Sequence, residues 1–189
     1  MELNEERKYE HGKYDRAYSS NANYAMGLQR KMDATLDLAS LPMRGYYLDG
    51  GCGRGEMLEI ASGMGFEMCR GVDIVQALLD PPRIVYGEVH QLPFPDKHFD
   101  VVTMLDVIEH LIVGDDELAC RELKRVARHH IILTANNRPS KSLGEELHIN
   151  KRPYEEWDRL FKEWFAPATV TWIKTAQKRY VSEGWRIDL

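Results

Sequence analysis

The sequence is poor in cysteine. Cys52, Cys69 and Cys120 are its only three in 189 residues, and none stands at the C-x-x-C spacing of a metal site. An odd count closes no disulfide framework. The polar first 24 residues hold no apolar leader, so reduced thiols and a cytoplasmic location are expected. No apolar run approaches the roughly 18 residues of a membrane span. Basic excess is missing too: 25 Lys and Arg face 30 Asp and Glu, a net charge of −5, which disfavours non-specific nucleic-acid binding. Internal repeats and low-complexity linkers are absent. What remains is ordinary globular composition, 43% hydrophobic and 29% charged. It is read as one domain over residues 1–189, with residues 1–24 a lid or flexible segment.

Apolar periodicity then orders the chain. Ala25, Met26, Leu28, Met32, Leu36 and Leu38 recur at near-helical spacing over 24–41, and Pro42 stops the run. Tyr46-Tyr47-Leu48 reads as a strand, 49–55 as a turn, and Glu56 opens a helix that ends near Gly63. Further strands are expected at 67–73, 83–87, 99–105 and 130–135, with helices at 75–79 and 115–127. Residues 136–152 read as polar and irregular. Tyr154, Trp157, Leu160, Phe161 and Trp164 share one face of a helix at 153–165, which suits core packing. Strands at 169–175 and 184–189 close the chain. Strands alternating with helices imply a doubly wound, mostly parallel α/β sheet of seven strands, and the short last connection makes the final strand antiparallel.

The turn between the first strand and its helix is the most informative segment. Glycines there let a ligand approach backbone at a helix N-terminus. Glu56-Met57 after Gly55 excludes the Lys-Ser or Lys-Thr of a P-loop. The pattern is D-x-G-x-G-x-G from Asp49, not the G-x-G-x-x-G of dinucleotide folds. A carboxylate at Asp49, expected to face the crevice, repels a pyrophosphate and attracts a cation. S-adenosylmethionine fits, carrying an ammonium and a sulfonium and no phosphate. Asp73, 18 residues beyond Gly55 at the end of the second strand, stands where a carboxylate can accept from both ribose hydroxyls.

Four segments in register carry a family resemblance: Leu48–Gly55, Gly71–Ile74, Gly87–Phe94 and Phe99–Leu111. Together they resemble the class I S-adenosylmethionine-dependent methyltransferases, most of all the group that includes ubiquinone and menaquinone biosynthesis enzymes. The resemblance implies a Rossmann-like fold and S-adenosyl-L-methionine as cofactor, leaving S-adenosyl-L-homocysteine as product. It also implies roles. Asp49, Gly51 and Cys52 lie at the methionine end, with Gly53 and Gly55 shaping the turn. Asp73 binds ribose and Ile74 packs on adenine. Glu88, where this family usually has Asp, faces the adenine amino group, and the Val89 backbone its ring nitrogen. Leu105 and Asp106 close over the sulfonium.

Methyl transfer from a sulfonium is an in-line displacement that asks mainly for alignment and desolvation, so no triad is required. If the acceptor must lose a proton, His110 and His148 are the candidate bases, with Asp106 or Glu109 as orienting partner. The leading reading is transfer to an oxygen or nitrogen of a small-molecule acceptor, with no metal assigned. A second is a ribose 2′-O-methyltransferase acting on RNA. Asp106-x-x-Glu109-His110 with His148 distantly resembles the metal-binding set of small-RNA 3′-end methyltransferases, which have Glu at the Asp106 position. A third is a non-catalytic cofactor-binding subunit, with recognition supplied by a partner subunit or a second copy. The charges Arg121, Lys124, Arg125 and Arg128 are expected to form a solvated helix face.

Overall fold

A computed structural model describes residues 5–21, 28–173 and 182–189. Nine strands are present among them: β1 Tyr46–Gly50, β2 Met68–Asp73, β3 Ile84–Tyr86, β4 Phe99–Met104, β5 Ala127–Asn136, β6 Lys141–Ser142, β7 Glu145–Glu146, β8 Thr169–Ile173 and β9 Ser182–Asp188. The helices are α1 Glu5–Ser20, α2 Leu28–Ala39, α3 Glu56–Gly63, α4 Asp115–Val126 and α5 Tyr154–Trp164. Seven strands form one sheet in the order β3-β2-β1-β4-β5-β9-β8. β1 to β5 pair in parallel, and β9 runs antiparallel to both β5 and β8. This is the Rossmann-like architecture expected from the alternation of strands and helices.

The central strands are buried on both faces, so neighbouring residues enter different cores. Leu48, Val102 and Ile131 pack with Leu123 of α4 and with Phe161 and Trp157 of α5. Their neighbours Tyr47, Val101 and Ile132 pack with Leu58 of α3 and Leu38 of α2. β1 pairs with β2 on one side and β4 on the other. The strand order reverses there, opening a crevice beyond the carboxyl ends of these strands.

Several segments depart from expectation. Residues 5–20 form a helix rather than a loose end. α2 begins at Leu28 and leaves Met32 and Leu36 exposed, while Ala34 and Leu38 face the core. Ala25 and Met26 lie outside the described residues. The helix expected at 75–79 is one 3-10 turn, Gln76–Leu78. β5 starts three residues early, because Ala127 pairs with Phe99. The segment 136–152 carries the β6–β7 ribbon, turning at Leu143 and Gly144, both at positive φ. The basic residues near α4 are not simply solvated. Arg125 binds Glu122, Asp96 and the carbonyls of Leu92 and Phe94, tying the loop after β3 to α4. No described helix is long and apolar enough to cross a membrane.

Candidate active site

The turn after β1 is strapped to β2. The Gly51 and Cys52 amides both donate to the Val72 carbonyl, at 2.8 and 3.0 Å. Gly51 and Gly53 take positive φ, 70° and 53°. A Cβ at Gly51 would stand 2.5 Å from Val107 Cγ2, and one at Gly53 would stand 2.7 Å from Tyr18 Oη. Gly51 therefore needs glycine on two counts, conformation and space, and Gly53 on conformation. Asp73 closes the turn from below: its Oδ2 accepts from Gly53 N–H at 2.8 Å and its Oδ1 from Val75 N–H at 2.9 Å. Burial pushes the Asp73 carboxyl up, and the backbone donors oppose that shift.

A cavity of about 390 Å³ opens over this turn. Gly51, Cys52, Gly53, Asp73 and Ile74 form one wall, Glu88, Val89, Leu105 and Asp106 another, and His110 and His148 line it as well. Asp49 and Gly55 do not line it. Asp49 is 2% exposed, held within the sheet between Gly71 and Thr103. Thr103 Oγ1 donates to Asp49 Oδ1 at 2.6 Å, and the Tyr47 hydroxyl lies 2.6 Å from the same Oγ1. Burial raises the Asp49 carboxyl to about 7, aided by the nearby charge of Asp73. Asp49 thus stands behind the wall of the notch rather than in it.

These residues fit an adenosyl cofactor without phosphate. Asp73 and Glu88 supply acceptors along the cavity wall. Arg7 is the sole Lys or Arg among the lining residues, and it is engaged with Asp115. A pyrophosphate would meet carboxylates there and no uncommitted cation.

Beyond β4 the chain turns sharply. Asp106 sits at φ 54°, a left-handed conformation costly for any residue but Gly, Asn or Asp. Thr134 of β5 holds it on both sides: Asp106 N–H donates to Thr134 Oγ1 at 2.8 Å, and Thr134 Oγ1–H donates to Asp106 Oδ1 at 2.9 Å. The next turn brings His110 against His148, ring centroids 4.6 Å apart. His148 Nδ1–H donates to the Arg138 carbonyl at 2.6 Å; a carbonyl can only accept, so this ring carries its proton on Nδ1 and a lone pair on Nε2. His110 Nδ1 lies 2.9 Å from the Leu147 carbonyl and 2.6 Å from the Tyr14 hydroxyl, which can donate or accept. Burial drives the His110 pKa down to about 4 and also lowers that of His148. Glu109, fully buried, brings a carboxylate to the pair. One ligand atom from each of Glu109, His110 and His148 lies within 4.8 Å of the others.

Most of the polar residues that sequence reasoning missed belong to α1, with His90 and Asp115 outside it. Arg7, Glu10, His11, Tyr14 and Tyr18 line the cavity. Their spacing is helical, and that was the available signal; it was hidden because the stripe is polar, not apolar. Tyr14 Oη lies 2.6 Å from His110 Nδ1, and His11 Nε2 lies 3.7 Å from Glu88 Oε2.

Residues 48–133 match the family model described as a methyltransferase domain. A candidate methyltransferase of Encephalitozoon cuniculi (strain GB-M1) is 34% identical over 82 residues, which are 43% of this chain and 39% of that protein. Among solved structures, a Pyrococcus horikoshii OT3 protein superposes with a TM-score of 0.71 at 19% identity, covering 93% of this chain and 97% of the other. An S-adenosylmethionine-dependent methyltransferase of Clostridium acetobutylicum ATCC 824 reaches 0.66 at 14% identity, covering 98% and 99%. Residues 48–133 thus carry a methyltransferase domain, and the chain shares the fold of solved S-adenosylmethionine-dependent methyltransferases.

Proposed function

We propose that this chain transfers a methyl group from S-adenosylmethionine to an oxygen or nitrogen of a small-molecule acceptor. The observation that carries the reading is convergence. Separate segments, singled out at the glycine turn, the end of β2, the loop after β3 and the turn after β4, meet around one cavity. The cofactor, when bound, supplies a methyl already activated by a sulfonium. The protein then aligns, desolvates and, where needed, removes a proton. In this reading Asp73 takes the ribose hydroxyls and Glu88 the adenine amino group. Leu105 and Asp106 cover the sulfonium side. Of the two imidazoles, His110 with a pKa of about 4 is too weakly basic for neutral pH. The acceptor's proton is therefore assigned to Nε2 of His148, with His110 set edge-to-face against it as its positioning residue. Calorimetric titration tests the proposal: S-adenosylmethionine binds, ATP and NAD do not, and Asp73→Ala weakens the cofactor by about tenfold or more. Binding of ATP in preference would overturn it.

A second reading is favoured by one observation, the closeness of Glu109, His110 and His148. Two imidazoles beside a buried carboxylate also make a divalent-cation set. A cation there would orient an acceptor with neighbouring hydroxyls, as the ribose 2′-O reading requires. Transfer to a single-stranded RNA 3′ end that is abolished by chelator and restored by Mn²⁺ would establish this reading. Full activity on a small acceptor in excess EDTA would eliminate it.

A further inference from the structure

One helix touches both halves of the cavity. On the cofactor half, α1 sets the Tyr18 hydroxyl over the Gly53 turn and brings His11 Nε2 to 3.7 Å from Glu88 Oε2. On the other half, it grips the chain that leads into His148. The Tyr9 hydroxyl donates to Glu145 Oε1 at 3.0 Å, and Arg16 Nη2 donates to Glu145 Oε2 at 2.8 Å. Lys13 Nζ donates to the Glu146 carbonyl at 3.1 Å. The Tyr14 hydroxyl lies 3.4 Å from the Leu147 carbonyl. The same helix thus holds three successive residues ahead of His148.

Tyr14 also reaches the neighbouring imidazole. Its Oη stands 2.6 Å from His110 Nδ1, and the two rings meet edge-to-face, 5.4 Å between centroids at 85°. His110 in turn meets His148 edge-to-face, at 4.6 Å and 75°. The Leu147 carbonyl is the common point, 2.9 Å from His110 Nδ1. A ring held at one nitrogen by a hydroxyl and a carbonyl cannot flip without breaking both contacts. Without the hydroxyl only the carbonyl remains, on a segment that α1 itself holds in place. Docking of α1 is an equilibrium that a ligand can bias, because polar contacts hold the helix and Ala17 is its one buried apolar side chain. A cofactor that favours the docked helix therefore favours the set histidine pair as well.

We propose that Tyr14 is a positioning residue of the methyl-transfer site: its hydroxyl passes the docking of α1 over the cofactor to His110, and through it to His148. The inference rests on the methyltransferase reading above and adds a link between its cofactor half and its acceptor half. The test is NMR of the full chain with ring-labelled histidine, titrated with S-adenosylhomocysteine at one fixed pH. In the unaltered chain the His110 and His148 ring signals are expected to move with the ligand. The Tyr14 amide gains exchange protection over the same concentrations. Tyr14→Phe keeps the aromatic ring and removes the hydroxyl. It is expected to bind S-adenosylhomocysteine within about threefold of the unaltered chain, yet to lose most of the response at both histidines. Tyr9→Phe, which removes a hydroxyl from the exposed side of the same helix, keeps that response. Histidine signals that ignore the ligand, or that move without protection at Tyr14, would overturn the proposal in the unaltered chain alone. So would an undiminished response in Tyr14→Phe, or a loss of affinity there of about tenfold or more, which makes Tyr14 a cofactor contact instead. Failure of S-adenosylhomocysteine to bind the unaltered chain is a different result, and it removes the methyltransferase reading.

Discussion

Asp49 illustrates how one side chain can be legible in kind and misplaced in detail. An acidic residue ahead of the glycine turn argues for a cationic ligand, and that logic needs only the sequence. Which way the carboxylate points depends on Thr103, 54 positions away, whose hydroxyl captures it. The consequence is measurable. Burial holds Asp49 at about 7 against an ordinary 3.8, so between those values the folded state keeps a proton that the unfolded chain has released. Its contribution to stability is full below pH 3.8 and is lost as pH rises through about 7, a change on the order of 4 kcal/mol. The ligand-free protein should melt at a lower temperature at pH 8.5 than at pH 5.5. In Asp49→Asn, where the amide oxygen still accepts from Thr103, that difference should shrink. Bound cofactor, being cationic, favours the ionised carboxylate and should offset part of the loss at pH 8.5.

Among the elements, α1 stands apart because packing does not explain its place. Ala17 is its one fully buried apolar side chain, and Tyr9 is 56% exposed. What holds it are polar contacts: Arg7 to Asp115, Arg16 and Tyr9 to Glu145, Lys13 to the Glu146 carbonyl. Partly exposed ion pairs contribute about 0.2–1 kcal/mol each and weaken with salt. α1 should therefore open more readily than α5, whose Trp157 and Phe161 are fully buried. Hydrogen exchange should show faster exchange in α1 than in α5, a further increase in 0.5 M salt or in Arg7→Ala, and slower exchange at Tyr14 and Tyr18 with cofactor bound. Exchange unaffected by cofactor would mean that the helix is no lid. The β6–β7 ribbon was invisible beforehand for a related reason. Lys141-Ser142 and Glu145-Glu146 carry no apolar alternation, and their pairing depends on the turn at Leu143-Gly144 and on docking against α1.

The sheet as a unit shows the opposite case, in which local pattern and global fold agree. β5 lies between β4 and β9, and its Leu133 sits between Met104 and Trp185. Leu133→Ala opens a cavity where strands from both halves of the chain meet. It should cost about 2–5 kcal/mol in denaturant unfolding, without changing the pH dependence set by Asp49. The alternation of strands with helices and the antiparallel β9 were readable, because each follows from short-range periodicity and connection length. So were the glycine turn, Asp73 and the Glu109-His110 pair, since the chemistry of these residue types is local. Three-dimensional packing alone settled the rest. It buried Asp49 behind the notch, set His110 against His148 from segments 38 residues apart, and laid a polar helix over the cavity as its third wall. Such contacts join residues distant in the chain, and no period or spacing encodes them.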